Sequence, residues 1–106
     1  MLFRSEIGDS VPKDLERAVG LFRAAAEAGD ARAQMNLGRM LADGTGIVQD
    51  LSAACYWFAV SMNGGELSGE KRLADLVFRS KVTPKQVAEA RILAASFVPK
   101  PREPMP

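Results

Sequence analysis

Histidine is absent from this 106-residue chain, and cysteine occurs once, at Cys55. The first absence removes the commonest general base, the second excludes an intramolecular disulfide, and together they leave the usual zinc-ligand sets unassembled. Without a histidine to activate it, Cys55 reads as a non-catalytic side chain, expected between Trp57 and the solvent side of its helix. Long apolar runs are missing too. None approaches the roughly 18 residues of a spanning helix, and Met1-Leu2-Phe3-Arg4 lacks the basic-then-apolar order of a signal peptide. Nor is there an excess of charge: 14 lysines and arginines stand against 13 acidic residues, a formal +1. Such a balance argues against a nucleic-acid surface or direct contact with an anionic membrane. The compartment, cytoplasmic or periplasmic, is not read from the chain.

What the chain does have is glycine punctuation between apolar stretches at helical spacing. In residues 30–65 Ala33, Leu37, Met40 and Leu41 fall on one helical face, Gly44 and Gly46 interrupt, and Asp50 opens a second face through Ala54, Trp57, Phe58 and Ser61. This is helix, loop, helix. An offset of 36 residues then carries Asp14 onto Asp50, Ala18 onto Ala54, Phe22 onto Phe58 and Gly29 onto Gly65. The same offset carries Leu37 onto Leu73, Gly38 onto Ala74 and Leu41 onto Val77, so the agreement spans two helices and marks an internal repeat. Upstream, GDSVPKD is a second version of GTGIVQD, and the first seven residues look like the end of a truncated copy.

In chain order, the first helix starts at Lys13 or Asp14 and ends at Gly29 as a C-terminal cap. Asp30 supplies an N-cap oxygen for helix 31–43, and Ile47 is expected to fold inward as a plug in the loop that follows. Asp50 caps a third helix to about Met62. A fourth runs from roughly Glu66 to Arg79, its first turn weakened by Gly69, which costs about 1 kcal/mol relative to alanine. Thr83-Pro84-Lys85-Gln86 is a capping box with proline at the first helical position. It starts a fifth helix to about Phe97, with Val87, Ala90, Ile92, Leu93 and Phe97 as its apolar stripe. This helix departs from the repeat and is read as a cap on the stack. The final VPKPREPMP is expected to be a disordered tail, residues 98–106, with Pro101-Arg102-Glu103-Pro104 as a minimal PxxP.

At these residues the pattern resembles the Sel1-like repeat, a helix-turn-helix unit related to the tetratricopeptide repeat. Ala33, Leu37-Gly38, Leu41, Gly44, Gly46-Ile47, Asp50, Ala53-Ala54, Trp57 and Gly65 fill the family pattern in order, with Leu41 for its tyrosine, Ala53 for its lysine and Ser61-Met62 for its alanine pair. The preceding unit matches through Asp14, Arg17-Ala18, Leu21, Ala25-Ala26 and Gly29. The resemblance implies an all-α, right-handed α-solenoid over residues 1–97, with a partial repeat at 8–29, a complete one at 30–65, a partial one at 66–79 and a capping helix at 84–97. It further implies the C-terminal end of an array and, as in bacterial members of the family, a scaffold or adaptor role in protein–protein interaction.

The bland reading wins for most residues that invite chemistry. Gly38 serves close helix packing, and Gly44-Thr45-Gly46 lacks the lysine and strand of a phosphate loop. Trp57 and Phe58 read as core. No set of nucleophile, base and orienting group is visible, so no enzyme activity, cofactor or metal is expected. The functional surface implied by the resemblance is the concave wall, formed by Arg32, Met35, Arg39, Ala42 and Asp43 and, one repeat on, Ser68, Lys71, Asp75, Phe78 and Arg79. Arg39 is expected to pair with Asp75 across it, leaving Met35, Phe78 and Arg79 as anchors for a protein or peptide partner. Two alternatives stand beside this: a homodimer through the open edge of helix 14–28, and a cell-envelope enzyme or regulator whose activity the sequence does not display.

Overall fold

The computed structural model describes residues 13–100. Among them are five helices and no strand: α1 (Lys13–Glu27), α2 (Ala31–Asp43), α3 (Leu51–Asn63), α4 (Ser68–Phe78) and α5 (Pro84–Ala94). Most of the GDSVPKD loop, the first seven residues and the PxxP lie outside the described residues.

The helix starts follow from side-chain oxygens that take the orphan N–H groups of a first turn. Asp30 accepts from the N–H groups of Arg32 and Ala33 at 3.0 and 3.1 Å. Asp50 accepts from Ala53 at 3.0 Å. Thr83 and Gln86 form the expected capping box in both directions, at 2.8 and 3.1 Å. Among the helices whose starts are described, α4 lacks such a cap: Leu67 already has helical dihedrals, and the helix begins at Ser68, two residues later than its sequence implies. The turns repeat as well. After α1 and again after α3, a glycine in the left-handed region (Gly29 at φ 106°, Gly65 at φ 101°) lets the next N–H reach back to the helix, Asp30 to Ala25 at 3.0 Å and Glu66 to Ser61 at 2.9 Å.

The helices form a helical solenoid centred on α3, whose sequence is apolar nearly all round. It packs on α2, α4 and α5, and α1 packs on α2. The core follows the repeat register: Leu37 and Leu73 are both fully buried, with Ala54, Phe58 and Ala59 between them. Ile47 tucks against this core as the plug of the α2–α3 loop, while Val48 beside it is exposed. Phe58 is 1% exposed, held between two glycines. A Cβ on Gly38 of α2 would stand 2.7 Å from the Phe58 ring, and one on Gly69 of α4 would stand 2.7 Å from the Phe58 carbonyl and 2.6 Å from Met62 Cγ. Gly69, expected to weaken its helix, is what lets α4 approach α3.

Several expectations are corrected. Cys55 is fully buried rather than on the solvent side, and its burial raises the thiol pKa. Trp57 is only partly buried, its ring edge-on to Tyr56 and to Phe97. The fifth helix stops at Ala94, and Ile92 and Leu93, assigned to its buried stripe, are 70% and 63% exposed. This is because α5 meets α3 on a narrow face of Ala90 and Ala94 and scarcely touches α4. The start of the supposed tail is also placed: Lys100 N–H donates to the Glu27 carbonyl at 2.7 Å.

Candidate functional site

The residues assigned to a concave wall sit on α2 and α4, which the 36-residue offset places at equivalent positions. Both dock on α3 and have little contact with each other. The wall is therefore divided into two separate depressions. One, of about 280 Å³, opens between α1 and α2 and takes Arg39 and Asp43 in its lining together with Phe22, Asn36, Met40 and Thr45. The other, of about 480 Å³, runs along α4 and is lined by Ser68, Lys71, Arg72, Asp75 and Arg79. Arg32 is exposed at the start of α2.

Met35 does not belong to either, and its assignment as an exposed anchor is corrected: it is 7% exposed and part of the core. The reason lies in the helix period. Met35, Gly38 and Ala42 fall at i, i+3 and i+7, one stripe of α2, and Gly38 meets the Phe58 ring of α3. That stripe is the interface inside the hairpin and not an open wall. One repeat on, the same stripe of α4 is Lys71, Ala74 and Phe78, and here all three are exposed, Phe78 at 87%. Leu67, a turn earlier on the same side, is 82% exposed. The face that α3 covers on α2 is thus uncovered on α4, because α5 packs on α3 instead.

The expected Arg39–Asp75 pair does not form. Asp75 pairs one turn along its own helix with Arg79, whose Nε lies 3.2 and 3.1 Å from the two carboxylate oxygens. Arg39 donates instead to Asn36 Oδ1 at 3.4 Å. With Lys71, Arg72 and Arg79 against the single carboxylate of Asp75, the α4 depression is a cationic surface beside an apolar stripe. Both sides of the Arg79–Asp75 bridge remain largely exposed, 66% and 49%, so the guanidinium stays available to an incoming carboxylate.

Sequence reasoning missed Gln34. It is 1% exposed, and its Nε2 donates to the Ala26 carbonyl at 3.0 Å, tying α2 to the end of α1. Its Oε1 is buried and meets no donor. A lone glutamine on a helix gives no signal that separates this from an ordinary solvated amide.

Among the described residues no cluster of three or more histidine, cysteine or acidic side chains could hold a metal, and no helix is long and apolar enough to cross a membrane. The Sel1 repeat family model matches residues 3–30 and 31–60, more than half of the chain. Among curated proteins, none matches it. Sel1 repeats generally mediate protein–protein interaction, and the family is a non-catalytic scaffold type.

Proposed function

The chain belongs to the Sel1 repeat family, and from that premise we propose that it is a scaffold or adaptor that takes a protein partner on the open face of α4. The observation that carries this reading is the exposed stripe of Lys71, Ala74 and Phe78, the register equivalent of the α2 stripe that α3 covers, with exposed Leu67 a turn earlier. An amphipathic helix from a partner would complete the hairpin there as α3 completes it for α2. Its apolar side would meet Phe78, and acidic residues along its edge would meet Lys71, Arg72 and Arg79, with Asp75 holding Arg79 in place. Arg32, Arg39 and Asp43 lie apart on α2, so Arg39→Ala serves as the control that leaves this face unaltered.

The test uses the whole chain as bait beside its Phe78→Ala, Arg79→Ala and Arg39→Ala variants. A genuine partner is retained by the parent chain and by Arg39→Ala and lost or weakened with Phe78→Ala and Arg79→Ala, while the melting temperature stays unchanged. Equal retention by every variant would sink the reading. A second reading, self-association through α1, is supported by Leu21, 69% exposed on the side of α1 away from α2. Light scattering that found a monomer at high concentration would remove it.

A further inference from the structure

Beyond Ala94 the chain turns back across the α1–α2 turn in an extended course, and three contacts hold it. Phe97 meets Trp57 edge-on with ring centroids 5.9 Å apart. Pro99 lies on Gly29, so close that a Cβ there would stand 3.2 Å from Pro99 Cβ. Lys100 N–H donates to the Glu27 carbonyl at 2.7 Å, one of the last carbonyls of α1, which the helix itself leaves without a donor. A ring in an aromatic corner, a proline on a flat backbone and one main-chain hydrogen bond are the means by which folded domains hold short extended peptides.

The segment fills its trough poorly. Open depressions of about 260 Å³ each lie between it and the helices, one walled by Glu27, Tyr56 and Trp57 together with Phe97 and Lys100, the other by Gly29, Gln34 and Val60 together with Phe97 and Pro99. Val98 is 77% exposed, and Pro99 and Lys100 are exposed as well. Gln34, beside the second cavity, is the residue whose buried Oε1 lacks a donor. The segment is therefore loosely seated, held by its ring, its proline and one main-chain hydrogen bond while most of its surface stays in solvent.

We propose that this trough is a docking groove for an extended segment of a protein partner carrying an aromatic residue two positions before a proline, and that Phe97–Lys100 occupies it in cis as a displaceable strap. The partner segment takes the place of Phe97 against Trp57 and of Pro99 on Gly29, and its remaining side chains enter the flanking cavities. Binding must compete with the strap, so the apparent affinity is reduced by the fraction of chains in which the strap is open. The groove is formed by the end of α1, the α1–α2 turn and α3, and is independent of the α4 face.

Trp57 is the only tryptophan in the chain, so its emission reads the groove directly. The probe is a synthetic peptide of Ser96–Lys100 with blocked ends, titrated into the whole chain and into its Phe97→Ala variant. The expected result is a saturable change in Trp57 emission, with binding to Phe97→Ala about tenfold tighter than to the parent, the factor for a strap closed roughly nine-tenths of the time. A peptide with alanine in place of its phenylalanine should give no change. Lys100→Pro provides a second opening of the strap: it removes the N–H that reaches Glu27 at an exposed position and so leaves the core intact. It should also tighten peptide binding, whereas Phe78→Ala and Arg79→Ala should leave it unchanged. The proposal is overturned if the peptide leaves the emission of both strap variants unaltered, or if parent and variants take it with equal affinity, in which case the segment is a fixed part of the fold.

Discussion

The α2–α3 hairpin and the α4–α5 pair lie one 36-residue offset apart in the chain and fold differently. In the first, two helices of one repeat pack tightly on each other; in the second, both helices dock on α3 and barely meet. The difference traces to a few positions. Gly38 receives the Phe58 ring, but its equivalent Ala74 is exposed, since the position of Phe58 is held in α5 by Ala94. Trp57 is matched by Leu93, which points away from the core at 63% exposure, and the plug Ile47 is matched by Thr83, which caps α5 instead. With no large side chain to insert between α4 and α5, nothing repays their contact, and the alanines at 90 and 94 settle α5 on α3. The offset that aligns the buried leucines of α2 and α4 therefore does not decide which helices pair, and α5 itself starts three residues earlier than the α3 register implies.

The largest expected effect tests what the tight hairpin depends on. Phe58→Ala should lose about 3–5 kcal/mol in chemical denaturation, close to the whole stability of a small domain. A loss below about 1 kcal/mol would mean that the ring is not what joins α2 to α3. Gly69→Ala should cost about 1–3 kcal/mol despite alanine's better helix propensity, because the new methyl meets the fixed Phe58 carbonyl. If it stabilises instead, the close approach of α4 is wrong. Thr83→Ala should cost about 1 kcal/mol through loss of the capping box. Ser80→Gly should do the reverse, by up to about 1 kcal/mol. Ser80 sits at φ 59° where Gly44 occupies the equivalent place in the hairpin, and glycine there is unstrained. The smallest effect is Asp75→Ala, within about 0–1 kcal/mol for an exposed pair, since Arg79 remains solvated.

Most of the fold was legible because its starts and stops are local chemistry. Asp30, Asp50 and Thr83 announce helices by side-chain oxygens a few residues from the N–H groups they serve, and the offset linking Leu37 to Leu73 marks the core of both units. The site was less legible. The Leu-Gly register that puts Met35 on an open wall does not specify the neighbouring helix, and only its place on the Gly38 stripe shows which way it faces. Arg39 and Asp75 occupy equivalent positions, yet α2 and α4 lie apart on α3, so an ion pair one helical turn long takes precedence. Gly69 looked like a weak point because propensity counts the helix alone, whereas its role is set by Phe58 and Met62 across the interface. The C-terminal contacts on Glu27 and Gly29 join residues about seventy positions apart, beyond the reach of local pattern.

The pinching of Phe58 between Gly38 and Gly69 also limits how such arrays can be rearranged. Position 69 is the register equivalent of Ala33, so replacing the third unit with a copy of the second would set a methyl group against the Phe58 carbonyl. The units are thus not interchangeable cassettes. The third is shaped by the Phe58 carbonyl and Met62 that its predecessor presents, and a transplanted copy would have to bring its upstream neighbour with it.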